Sequence, residues 1–120
     1  MFELITTERC SVCKEKFVVL GRKESLNVKC KCGVFDLKFM IFLFGKGYDE
    51  IEVSFLKYVY GLKDFDGLVK NGFFKVKEVN GKYVKRKYCC ITKKFKRYLN
   101  SIVRLKSRLK EILRVFDYVL

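Results

Sequence analysis

Apolar and polar positions follow one period in the first third of the chain and another in the last. Lys16-Phe-Val-Val-Leu20 and Ser25-Leu-Asn-Val-Lys29 are short runs rich in β-branched and aromatic residues. With a turn across residues 21–24, they predict a two-stranded hairpin. The most apolar run is Phe39-Met40-Ile41-Phe42-Leu43-Phe44, bracketed by Asp36, Lys38 and Lys46. A spanning helix needs about 20 apolar residues, so this run reads as a buried strand or a short core helix. Glu52–Leu62 has Phe55, Leu56, Val59 and Tyr60 on one side of a predicted helix, and Lys63–Asn71 predicts a second, shorter one. Phe73–Val79 and Lys82–Tyr88 flank Asn80-Gly81, the pair that a two-residue type I′ hairpin turn favours. From Phe95 the apolar positions are Phe95, Tyr98, Ile102, Leu105, Leu109, Ile112, Phe116 and Val119, with Leu99, Leu113 and Leu120 beside them. Their strict alternation of three and four is a heptad seam. Thr92 stands where a helix N-cap belongs. The class expected is α+β.

Charge changes the picture. The chain of 120 residues has 27 Lys+Arg against 13 Asp+Glu, a net charge of +14. Residues 73–120 alone hold fifteen basic residues and three acids. Such an excess points to a polyanionic partner. With no Pro, Gly supplies the punctuation, and Gly45-Lys46-Gly47 is the best internal boundary. Three segments follow: residues 1–44, 45–91 and a helical 92–120. There is no His, which excludes a Ser-His-Asp triad and a Cys-His pair. Asp49, Glu50, Glu52, Asp64 and Asp66 would be the carboxylates of a metal-dependent nuclease, but they sit in Gly-flanked loops and at helix starts, where helix-terminal charge accounts for them. The reading is therefore of a protein that is not an enzyme and has no small-molecule substrate. Met1-Phe2-Glu3-Leu4 carries an acid where a signal peptide would be basic or apolar. A cytoplasmic location, in a host cell if the source is viral, is expected, with no membrane partner. The Lys-, Phe- and Tyr-rich, Pro-free composition suits an AT-rich archaeal or viral genome.

Candidate chemistry lies in the cysteines. Cys10-Ser-Val-Cys13 is followed by Cys30-Lys-Cys32-Gly33 across the first hairpin. Two such pairs can present four thiolates to one tetrahedral metal ion. Disulfides or buried free thiols are the other readings of the same residues. The pattern resembles a zinc ribbon over about residues 4–40, with C-x-C in place of the second C-x-x-C, a spacing that an unusual backbone angle at Gly33 would permit. The resemblance implies one structural Zn²⁺ on Cys10, Cys13, Cys30 and Cys32. Cys89-Cys90 sit on adjacent positions of a strand and face opposite ways, so they read as one buried and one outward thiol.

Leu68, Val69, Gly72, Phe73, Asn80, Gly81, Tyr88 and Thr92 fall where the winged helix-turn-helix of MarR- and PadR-like transcription regulators has a helix ending in Gly, a two-stranded wing and a capped dimerisation helix. The resemblance covers about residues 50–120. It implies a zinc-ribbon-like module followed by a winged helix and a long C-terminal coiled-coil helix. It also implies a homodimeric regulator of transcription that binds double-stranded DNA. Phosphates would be held by Lys75, Lys77, Lys82, Lys85, Arg86 and Lys87 on the wing and by Lys93, Lys94 and Arg97 on the helix. The dimer would be joined through Ile102, Leu105, Leu109, Ile112, Phe116 and Val119, because a helix of about 43 Å overhangs a domain of this size. The alternative is an interaction module, since zinc ribbons also dock on polymerases and other nucleoprotein complexes.

Overall fold

Inward residues at every second position make a sheet of the first third of the chain. The computed structural model describes residues 2–22, 25–47, 49–59 and 65–113. Strands β1 (Phe2–Arg9), β2 (Lys16–Arg22), β3 (Ser25–Cys30) and β4 (Gly33–Asp36) form an antiparallel meander in that order. Thr6, Phe17, Val19, Leu26 and Val28 are buried, while the residues beside them along each strand are more exposed. The predicted hairpin is thus the centre of a four-stranded sheet. Its two outer strands escape the sequence pattern because β1 is mostly polar and β4 has only four residues.

The apolar run is a helix, α1 (Leu37–Lys46). Asp36 starts it: its Oδ1 accepts the Phe39 N–H at 2.9 Å, a capping contact. Gly47, at φ 60°, stands directly after it, as a residue closing a helix does. Leu37, Phe39, Met40 and Leu43 are buried at helical spacing.

The chain divides into two compact units, residues 1–45 with 97–120, and residues 46–96. Most of the last helix, α3 (Lys93–Leu113), therefore belongs with the N-terminal sheet, where the sequence had suggested a separate segment. Within this first unit Tyr98 meets Phe17 and Phe35 edge-on, with centroids 6.1 and 5.2 Å away. Leu99, Ile102, Leu105 and Leu109 are 0% exposed in the single chain. A heptad stripe and the face of a helix packed on its own sheet have the same period, and here the stripe closes an intramolecular core. Ile102, Leu105 and Leu109 are consequently not available to a second chain in this structure. The Ile112 and Leu113 side chains, and Phe116, Val119 and Leu120, lie outside the described residues.

In the second unit β5 (Ile51–Glu52) pairs with β7 (Lys85–Ile91), and β7 with β6 (Phe74–Asn80), giving the order β5-β7-β6. Between β5 and β6 come a π-helical turn, Phe55–Val59, and the short helix α2 (Phe65–Lys70). Val53 and Leu56 point inward, but Phe55, predicted on the buried side, is 38% exposed; the wider π turn moves it off that face. Tyr60, Lys63 and Asp64 lie outside the described residues. The end of α2 is a Schellman-type cap, with the Phe73 N–H on Leu68 O, the Gly72 N–H on Val69 O and Gly72 at φ 81°. Phe65 stacks on Phe74, and Phe73 and Phe74 both meet Phe95 within 5.2 Å. Thr92 caps α3 as expected, accepting the Phe95 N–H at 3.3 Å and donating to Gly72 O at 2.6 Å.

The second hairpin forms, but not through a type I′ Asn-Gly turn. Asn80 pairs with Lys85, leaving Gly81–Val84 as the loop, and the positive-φ residues do not include Asn80 or Gly81. Glycine is needed for space instead. A Cβ on Gly81 would come within 2.8 Å of the Val84 carbonyl oxygen, which accepts the Gly81 N–H at 3.0 Å.

Candidate metal centre and basic hairpin

Both cysteine pairs lie at one end of the meander, because the β1–β2 and β3–β4 connections turn there. The first pair is held by a tight knuckle. The Cys10 N–H donates to Glu15 O, the Lys14 N–H donates to Cys10 O, and Lys14 takes φ 66°. The Val12 and Cys13 amides then point at Cys10 Sγ, at 3.4 and 3.5 Å. In the second pair Cys30 opposes Gly33 across the β3–β4 ladder, so Lys31 and Cys32 are the two residues of the turn. This is why C-x-C suffices: the hairpin turn itself brings Cys32 back over Cys30. Gly33 takes φ 136°, the backbone angle that the shortened spacing requires.

The four sulfurs of Cys10, Cys13, Cys30 and Cys32 all lie within 4.8 Å of one another, and Cys10 Sγ is 3.8 Å from Cys32 Sγ. A tetrahedron of ~2.3 Å metal–sulfur bonds has edges of about 3.8 Å. All six cysteines are free thiols. The cluster can therefore hold a metal ion through four ligands.

Their acidities are unequal. The Cys30 thiol donates to Cys10 and holds the Cys10 thiol well below its ordinary range; burial opposes this, and the Cys13 and Val12 amides assist it. Cys30 is raised by the same bond and by burial. Burial, then the charge on Cys10, pushes Cys32 up to about 12. A divalent cation taken up by the four thiols would displace their protons.

Helix α3 supplies surroundings that sequence reasoning had missed. Ser101 Oγ accepts the Ser11 N–H at 2.8 Å and lies 2.6 Å from Ser11 Oγ. Arg104 and Arg108 both reach Glu8, at 3.6 and 3.0 Å, and Arg108 also bonds Thr7. The Tyr98 ionisation is raised by burial and then by the neighbouring Cys30 and Cys10 sulfurs, which places its hydroxyl beside the cluster. The available signal was a phenol and a serine, Tyr98 and Ser101, at the inward edge of an otherwise apolar stripe.

The basic hairpin belongs to the second unit. Lys75, Lys77, Lys82, Lys85, Arg86 and Lys87 are all exposed. The register pairs Lys75 with Cys90, Lys77 with Tyr88 and Val79 with Arg86 on one face, and Glu78 with Lys87 and Asn80 with Lys85 on the other. Lys77 bonds Glu50 at 3.0 Å and Lys85 lies 3.9 Å from Glu78. Lys93 and Arg97 are exposed, whereas Lys94 donates to Asn71 O and covers the Phe73 ring. Cys89 is buried and Cys90 half-buried with its thiol on Lys75 O. Glu50 is taken by Lys77, Glu52 Oε1 accepts the Ser54 hydroxyl, and Asp66 faces Lys57. Among the described residues the four-cysteine group is the only cluster of three or more side chains that could hold a metal ion.

No protein-family model, no curated protein and no solved structure matches the chain. No helix among the described residues is long and apolar enough to cross a membrane.

Proposed function

We infer that the chain is a zinc-stabilised DNA-binding protein, built as a zinc-ribbon-like sheet joined to a winged helix. The observation that carries the reading is the exposed hairpin, with six basic residues against Glu78 on its two strands and loop. The connectivity of the second unit supports it: a short strand, two helical segments, then a hairpin whose second strand pairs with the short one is the strand order of a winged helix. Phosphates attract such a surface regardless of sequence. Lys75, Lys77 and Arg86 share one face, with Lys82 in the adjoining loop, so about four cations can meet one backbone at a time. Zinc is favoured for the metal because four thiolates at tetrahedral spacing are the ligand set of a closed structural site, with no position left for water. The metal would organise the fold and take no part in chemistry.

The experiment is a titration of duplex DNA at several salt concentrations. About four phosphate contacts give a slope of log K against log salt of about −3 to −4. Changing Lys82 and Arg86 to Ala should flatten it to about half. Absence of salt-sensitive binding at 50 mM salt overturns the reading and leaves the basic face to an acidic protein partner. For the metal, elemental analysis of protein purified without chelator should give one zinc per chain.

A further inference from the structure

The tip of the β6–β7 hairpin exposes more apolar surface than a phosphate clamp needs. Tyr83 is 88% exposed and Val84 60% exposed. With Val79, Gly81, Lys82, Arg86 and Tyr88 they line a shallow concavity of about 310 Å³. Val79 and Arg86 oppose each other on the face that also carries Lys75, Lys77 and Tyr88, so this hollow lies at the end of a row of cations. Lys82 sits over the Tyr83 ring, 5.6 Å from its centroid. The acid of the hairpin, Glu78, belongs to the other face.

A hollow lined by two tyrosines and two valines fits a flat, apolar ring. The cations around it select a ring carried on a polyanion. Within an intact duplex each base has both faces covered by its neighbours, so only its edges are presented. An unpaired base offers a π-face to an aromatic side chain and phosphates to the adjacent lysines and arginine, which is the combination that single-strand binding sites use. We propose that the hairpin tip is a stacking site for an unpaired base, so that the protein engages DNA where the duplex is open, with Tyr83 and Tyr88 holding the base and Lys75, Lys77, Lys82 and Arg86 the flanking phosphates. This rests on the DNA-binding reading and names the form of DNA that the site prefers.

The test compares a 25-base-pair duplex with the same duplex carrying a central unpaired stretch, at one salt concentration, with 2-aminopurine at an unpaired position. The wild type should bind the open duplex about tenfold more tightly and change the 2-aminopurine fluorescence by stacking. Tyr83→Ala should lose that preference and the fluorescence change while keeping its affinity and salt slope for the intact duplex. Tyr83→Phe should retain both. Equal wild-type affinity for the two duplexes, with no fluorescence change, overturns this proposal and leaves DNA binding standing. Failure to bind either duplex overturns both.

Discussion

At the scale of single residues the metal site is decided by where each cysteine stands in its turn. Cys10 collects two backbone amides, while Cys32 occupies a two-residue hairpin turn made possible by Gly33. Structural zinc sites in small peptides contribute about 10–16 kcal/mol of apparent binding energy coupled to folding. Cys10→Ser should therefore abolish stoichiometric zinc and unfold the first unit, a change visible in near-UV circular dichroism and elemental analysis. Gly33→Ala should weaken the site without removing a ligand, since its φ of 136° is strained for any side chain and its Cβ would meet Phe35 at 3.3 Å; the readout is the zinc affinity measured against a chelator. Away from the metal, burial pushes the Cys89 thiol up to about 11 from an ordinary 9.0. The unfolded thiol ionises first, so the folded state loses stability as pH rises from about 9 towards 11. Cys89→Ala should flatten that part of the alkaline limb in urea unfolding curves.

At the scale of elements the caps and turns were legible and the partners of the long helix were not. Thr92 was identified because a hydroxyl before a heptad stripe has few other uses, and Thr92→Ala should destabilise the chain by about 1 kcal/mol. Asn80-Gly81 marked a hairpin correctly, yet Gly81 serves by lacking a Cβ beside Val84 O, a contact across the four-residue loop that a dipeptide rule does not contain. The stripe from Tyr98 to Leu109 gave the buried face of α3 but not what covers it, because the period of a coiled coil and that of a helix lying on a sheet differ too little over three turns. Strands β1 and β4 were missed for a related reason: β1 is recognisable only by Leu4 and Thr6 facing a sheet that the sequence does not display. Leu105→Ala should cost about 2–5 kcal/mol in the wild-type chain at any protein concentration. A dependence of that loss on concentration would return Leu105 to an interface between chains.

At the scale of the whole molecule one helix has its first turn in the second unit, capped by Thr92, and its later turns in the first, packed on the sheet that carries the four cysteines. If the cluster holds zinc, its removal should strip amide protection from Leu99–Leu109 while Phe95 exchanges more slowly, a gradient that hydrogen exchange can read residue by residue. The four-stranded sheet also has consequences for how the protein behaves in a crowded solution. Its outer strand β1 presents a row of backbone groups to water, and Ile5 on it is 66% exposed, which is the usual invitation to edge-to-edge aggregation. The ladder to β2 loses its register between Ile5 and Arg9, an irregularity that bends a strand away from a flat partner, and Arg108 seals the far half through Thr7 and Glu8. On β1 only the short stretch from Phe2 to Ile5 remains for another chain to add to, and it carries the charge of Glu3. An edge so abbreviated limits how far one copy of the chain can extend the sheet of another.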